Sequence, residues 1–248
     1  MNPTPQAGRA SEAVDVDGAR RALRRGTAVV LPNPAPLTHV VAGPDPQAVN
    51  TAKGRPADQA VALWAHDPDT FAAAGEALDL TERLAALARR LLVEERVTLL
   101  LPLRSGAPRP DWLAPATRDG WTMLFGARWT PLLPVLADHP VLYVSSANRT
   151  GHPPAATVDD ALAMFPPAVP VLALPAATTD STDSTDTALP PRAATTTLRL
   201  HPDGRLDLHR HGAQDRPYPD ADRYLEHVHA TYRAQDPASE ATPTGGRS

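Results

Sequence analysis

The stretch SEAVDVDGARRALRRGTAVVLP (residues 11–32) sets a helix-period pattern, a glycine and a short β-branched run in immediate succession, an order that points to layered α/β folds. Val14, Ala19, Ala22 and Leu23 recur at near-helical spacing, Asp15 or Asp17 serves as N-cap, and Gly26 closes the helix. TAVVLP (27–32) then reads as a buried strand ended by proline. Similar signals recur down the chain. A helix is predicted over 46–52 and a strand over 60–65, followed by two helices in PDTFAAAGEALDLTERLAALARRLL, the second carrying an apolar stripe of Leu80, Leu84, Leu87 and Leu91. RVTLLLPL reads as a central strand, GWTMLFGA as a strand, TPLLPVLADH as a short helix and PVLYVSSAN as a strand. TVDDALAMF follows as a helix capped by Thr157. TTTLRL and RLDLHRHG form a hairpin about PDG, and a last helix covers 219–234. The alternation lacks the regular period of a doubly wound nucleotide fold, and the hairpin adds antiparallel character, so a mixed α/β single domain is expected.

The chain has 248 residues, enough to bury a substantial core. Its 29 prolines are roughly twice the usual share and imply long loops. Pro32, Pro34 and Pro36 keep the stretch before THVVAG out of any helix or central strand. Residues 1–11 and 236–248 are expected to be disordered tails, and 175–192, with Thr-Asp-Ser said twice, a mobile low-complexity loop. The domain is placed at 12–213, with a C-terminal helical segment at 214–235. The absence of cysteine excludes disulfides, thiolate metal sites and a cysteine nucleophile. Net charge is −4, so no global basic field advertises nucleic acid. No apolar leader opens the chain, and VTLLLPL is too short to span a bilayer, which makes a cytoplasmic protein with no membrane partner the expectation. The common phosphate loops, G-x-x-x-x-G-K-[ST] and G-x-G-x-x-G, are missing, as is a G-x-S-x-G elbow.

Two short stretches carry polar chemistry. KGRP (53–56) sets Lys53 and Arg55 two residues apart; if the backbone is extended there, both cations project to one side, where phosphates can be gripped. A solvated surface pair is the plainer alternative. SSANRTG (145–151) places the hydroxyls of Ser145 and Ser146 and the amide of Asn148 at the end of an apolar strand, where α/β sheets bind ligands, and Gly151 lets the chain turn away. An ordinary polar turn explains this stretch equally simply. Among nine histidines, alternation puts His209 and His211 on one face of the hairpin; with no carboxylate at matching spacing they read as a surface pair, and no metal site is assigned.

Taken in order, KGRPADQAVALWAHDPDTF, VTLLLP, SSANRTGHPPAATVDDALAMF, TTTLRL and LHRHG resemble the YrdC/Sua5 family of threonylcarbamoyl-AMP synthases, from about Val14 to Gly212. The resemblance implies one twisted mixed sheet with flanking helices around a central, positively lined cavity. There ATP, bicarbonate and L-threonine form threonylcarbamoyl-AMP and pyrophosphate, the first step toward N6-threonylcarbamoyladenosine in tRNA; double-stranded RNA binding is also described in the family. It implies nucleotide-binding roles for Lys53, Arg55, Thr98, Ser146, Asn148, Thr196 and Arg210, and a substrate pocket at Pro32, Asn33 and Ser145, with Mg²⁺ accompanying the triphosphate. Such a site works by positioning and charge neutralisation and needs no catalytic nucleophile.

The departures from the family are concentrated in the amino-acid pocket. The proline-threonine-x-threonine-x-tyrosine-glycine run is PNPAPLTH here, keeping only Pro32; the arginine of a valine-arginine-valine-proline strand has no counterpart in TMLFGA unless Arg128 serves. The chain therefore reads as a divergent synthase, as an enzyme adenylating a different carbamate or carboxylate, or as a non-catalytic relative that binds nucleotide or double-stranded RNA.

Overall fold

A computed structural model describes residues 12–175 and 191–233; the expected tails at 1–11 and 236–248 and nearly all of the 175–192 segment lie outside them. The chain enters through β1 (Ala13–Val14) into α1 (Val16–Arg24), where Asp15 accepts from the Gly18 N–H at 2.7 Å and Ala19, Ala22 and Leu23 turn inward. β2 (Val29–Leu31) and β3 (Val40–Gly43) are wholly buried. α2 (Pro46–Ala52) starts on an Asp45 cap with proline in its first turn, as an N-terminus prefers. β4 (Ala62–Trp64), α3 (Pro68–Gly75) and α4 (Glu82–Arg90) follow, and α4 runs on as a π-helical turn over Leu91–Glu95 into β5 (Thr98–Pro102). A 3₁₀ segment, Asp111–Ala116, leads to β6 (Thr117–Arg118), β7 (Trp121–Phe125), α5 (Leu133–Leu136) and β8 (Tyr143–Ser146). α6 (Val158–Met164) carries the expected Thr157 cap as a full capping box with Asp160. β9 (Val171–Leu172), the hairpin β10 (Thr197–Leu200) and β11 (Leu206–Arg210), and α7 (Ala221–Arg233) complete the fold.

The strands form one mixed sheet in the order β1-β9-β2-β3-β8-β4-β7-β5-β10-β11, with β6 on β7. One expectation shifts. Leu80 precedes α4, so the apolar stripe is built from Leu84, Leu87, Ala88 and Leu91. β1, β6 and β9 are two-residue strands, too short to show a period in sequence.

Register places the site. Paired residues share a face, and the chain of pairs Val40–Ser146, Ala42–Val144, Val144–Ala62, Trp64–Phe125, Phe125–Thr98, Thr98–Thr197 and Thr197–Arg210 runs across the sheet on one side. The opposite face is packed by the larger core, which includes Val41, Leu63, Leu99, Leu124, Leu198 and residues of α7. On the Val40 side, α1 and α5 supply Ala19, Ala22, Leu23, Val135 and Leu136 against Val29, Leu31, Ala42 and Trp64. Farther along that face Leu100, Trp121, Met123 and Arg199 are only half-buried. A cavity forms between the covered and the open part.

Candidate functional site

The cavity encloses about 230 Å³ over the sheet face of Val40, Ala62, Phe125 and Val144. Arg55, Thr98, Thr195, Ser145, Ser146 and Arg210 line it, with Asn33, Leu37 and Thr38 from the loop after β2. Sequence-distant groups converge here because the ends of β8, β5, β10 and β11 meet on one side of the sheet.

The KGRP segment is not extended. Lys53 is the C-cap of α2 in right-handed helical geometry, and Gly54 (φ 64°) turns the chain at once. The buried Asn50 holds the returning loop by donating to the Ala57 and Gln59 carbonyls, both at 2.8 Å, while its Oδ1 accepts from Arg55 Nε. The two cations consequently take different positions. Arg55 faces the cavity, and its Nη2 is buried with no hydrogen-bond partner. Lys53 sits behind Ser146, 4 % exposed, and gives its protons to the Ser146 carbonyl, to Ser146 Oγ at 3.4 Å and to Asn148 Oδ1 at 2.7 Å.

SSANRTG is thus ordered by Lys53. Ser146 Oγ donates to Asn148 Oδ1 at 2.6 Å, and Asn148 Nδ2 closes the turn onto the Arg149 and His152 carbonyls. Gly151 has φ 85°, the turn geometry its position suggested. Arg210 reaches the Thr195 carbonyl at 3.5 Å from an exposed position on the cavity wall. Thr98 and Thr195 share a hydrogen bond of 2.7 Å. Thr196 lies outside the lining: its hydroxyl donates to Asp215 and accepts from the Gln214 and Asp215 N–H groups, so the adjacent Thr195 is the threonine facing the cavity. Pro32 is buried beside the lining without joining it. Asn33 does join it; Nδ2 donates to the Thr38 carbonyl at 2.9 Å and Oδ1 is buried without a partner.

Sequence reading did not single out Thr38, Met123 or Phe125 as lining residues. Period-2 alternation in WTMLF was the available signal, since it puts Met123 and Phe125 on one face. They occupy the stretch where an arginine was sought; Arg128 lies instead by a second cavity of about 30 Å³ beside His66 and Asp67.

The electrostatics are one-sided. Among the described residues no carboxylate pairs with Lys53, Arg55 or Arg210. Burial, reinforced by the charges of Arg55 and Arg210, pushes the Lys53 ammonium down to about 7. A lysine lowered on folding costs stability fully below the folded value, and the cost fades as pH rises from about 7 toward the unfolded value near 10.4. Denaturant titrations are therefore expected to show the protein gaining roughly 2 kcal/mol between pH 7.5 and 9.5 from this group. Lys53→Met should remove that slope; an unchanged slope would show that Lys53 is charged throughout.

No family model matches the chain, and no curated protein is similar to it in sequence. The fold is similar to solved structures. P. abyssi Sua5 complexed with L-threonine matches with a TM-score of 0.51 and 19 % identity over 77 % of this chain and 53 % of that one. T. kodakarensis HypF gives 0.56 and 18 % over 80 % and 24 %, and E. coli YciO 0.52 and 11 % over 79 % and 88 %. The chain spans about half the length of the Sua5 structures it matches. With its order of strands and flanking helices, the chain has the mixed α/β fold of these Sua5, HypF and YciO structures.

Proposed function

We propose that the chain is a nucleotidyltransferase that binds ATP in this cavity and activates a carbamate or carboxylate as its adenylate, the reaction class of the threonylcarbamoyl-AMP synthases it resembles. One observation carries this reading: Arg55 and Arg210 line the cavity with Lys53 close behind, no carboxylate among the described residues pairs with any of the three, and Arg55 Nη2 is buried with no acceptor among them. A buried donor without an acceptor costs about 1–3 kcal/mol, a penalty that an anionic ligand removes. Guanidinium groups from Arg55 and Arg210 suit phosphate oxygens. Lys53 holds the Ser146–Asn148 turn and adds its charge from behind. Catalysis then rests on aligning the attacking oxygen with the α-phosphate and offsetting charge as pyrophosphate departs. Among the described residues no group of His, Cys, Asp or Glu is arranged to hold a metal. Mg²⁺ would therefore be carried by the triphosphate itself, with neutral oxygens such as that of Ser145 nearby.

The Sua5 structure complexed with L-threonine makes threonine the first acceptor to test, and the sequence resemblance to the synthases adds bicarbonate as its co-substrate and threonylcarbamoyl-AMP, for tRNA modification, as the product to look for. A different acid is favoured by one observation, the Met123 and Phe125 wall beside the altered Asn33–Thr38 loop. Pyrophosphate release from ATP, Mg²⁺ and bicarbonate should be measured with and without L-threonine, beside a Lys53→Ala, Arg55→Ala variant. Threonine-dependent release that the variant loses supports the synthase. Threonine-independent release points to another acid, and no release despite ATP binding leaves a nucleotide-binding relative.

A further inference from the structure

Past Arg210 the chain turns through His211 and Gly212 along a second, open groove of about 500 Å³, which meets the cavity at Ala194. Pro153, Pro154, Arg216 and Tyr218 wall it. His211 projects into this groove with its side chain 77 % exposed, yet its ring is fixed: Nδ1 donates to Asp215 Oδ2 at 2.6 Å. The carboxylate accepts from Nδ1, which leaves Nε2 as the ring nitrogen that Asp215 does not engage.

Asp215 is held rigidly. It is 6 % exposed, and its other oxygen accepts from Thr196 Oγ1 and, at 2.7 Å, from the Gly212 N–H. Burial pushes its acidity toward the neutral form, but hydrogen bonds from Thr196, His211 and Gly212 outweigh that and keep it ionised below the usual carboxylate range. An ionised, buried carboxylate bonded to one nitrogen of an exposed, groove-lining imidazole is the arrangement that makes histidine a general base. A surface ion pair serving only as a latch requires neither the groove nor the proximity to the cavity.

We propose that His211 and Asp215 form a general-base dyad for a second half-reaction: transfer of the activated acyl or carbamoyl group to a hydroxyl- or amine-bearing acceptor in the groove. This rests on the adenylate reading above. His211 Nε2 takes the acceptor's proton as its oxygen or nitrogen bonds to the carbonyl carbon. The bond from that carbon to the phosphate oxygen breaks, AMP leaves with the electron pair, and the imidazolium returns its proton to solvent. His211 is the catalytic residue, and Asp215 positions it.

Acetyl adenylate, with water as the probe acceptor, bypasses ATP activation and isolates this step. AMP release by the wild-type protein is expected to exceed the buffer rate, to fall about 100-fold in His211→Gln, and to show a normal solvent deuterium isotope effect. His211→Ala should fall equally and recover on addition of free imidazole, which a latch role would not produce; thermal melts check that both variants fold. A His211→Gln rate equal to wild type, or no wild-type acceleration over buffer, overturns the dyad. Pyrophosphate release from ATP judges the adenylate reading separately. A protein that releases none yet cleaves acetyl adenylate through His211 retains the dyad and loses that reading.

Discussion

Replacing Arg55 with methionine is expected to weaken ATP binding about 30- to 100-fold while moving the melting temperature by no more than a few degrees. The affinity loss follows from removing a charge-assisted hydrogen bond of about 2–3 kcal/mol in a partly desolvated site. The small stability change follows from what Arg55 does in the empty protein. Among the described residues it has no carboxylate partner, its Nη2 has no acceptor, and Nε to Asn50 Oδ1 is its anchor. Methionine fills similar space and leaves only Asn50 Oδ1 short of a donor, while Asn50 Nδ2 still ties Ala57 and Gln59. Isothermal titration with ATP beside a thermal melt separates the two effects. Equal affinity in both proteins would show that Arg55 does not meet the phosphates; a large fall in melting temperature would make it a structural residue.

Gly212→Ala is expected to act in the opposite sense, through stability, lowering the melting temperature by about 10 °C. A Cβ at this position would stand 2.1 Å from the Thr196 nitrogen, 2.3 Å from the Thr195 carbonyl carbon and 2.6 Å from the Ala194 oxygen. All three are backbone atoms and cannot rotate aside. The constraint is therefore proximity: the turn after β11 lies directly on the strand that enters β10, and the Ala213 N–H to Ala194 carbonyl bond of 2.8 Å pins it there. Forcing the two apart costs about 3 kcal/mol or more, and a domain of this size loses about 2–4 °C per kcal/mol. Thr195 and Arg210 belong to the segments displaced, so nucleotide affinity should fall as well. A melt within 2 °C of wild type would mean that the strand and the turn separate freely.

Much of this architecture was legible in sequence where local chemistry and tertiary packing agree. Asp15 and Thr157 announce their helices because a cap satisfies backbone N–H groups using only neighbouring residues. TAVVLP and VTLLLPL announce buried strands by β-branched and leucine content alone. The convergence of KGRP with SSAN was legible only through the family resemblance, since Lys53 and Ser146 lie 93 residues apart and meet through the register of β3 against β8. The premise of an extended KGRP fails because α2 continues to its C-cap at Lys53 and Gly54 reverses the chain, which periodicity cannot foresee. Thr195, which the family resemblance did not assign, faces the cavity because it lies two residues before Thr197, the partner of Thr98 on that face, while Thr196 points away to Asp215. The His211–Asp215 bond closes across the turn that Gly212 makes possible, a geometry that strand alternation does not contain.

The depressed Lys53 ammonium has a thermodynamic consequence for whatever fills the cavity. Near neutral pH that side chain is only partly protonated while the cavity is empty, because burial and two guanidinium charges oppose it. On the proposed reading, an arriving polyphosphate would reverse the balance and draw a proton in from the buffer. Calorimetric heats of ATP binding should accordingly vary with the ionisation enthalpy of the buffer, as expected if ligand and hydrogen ion enter as one thermodynamic event.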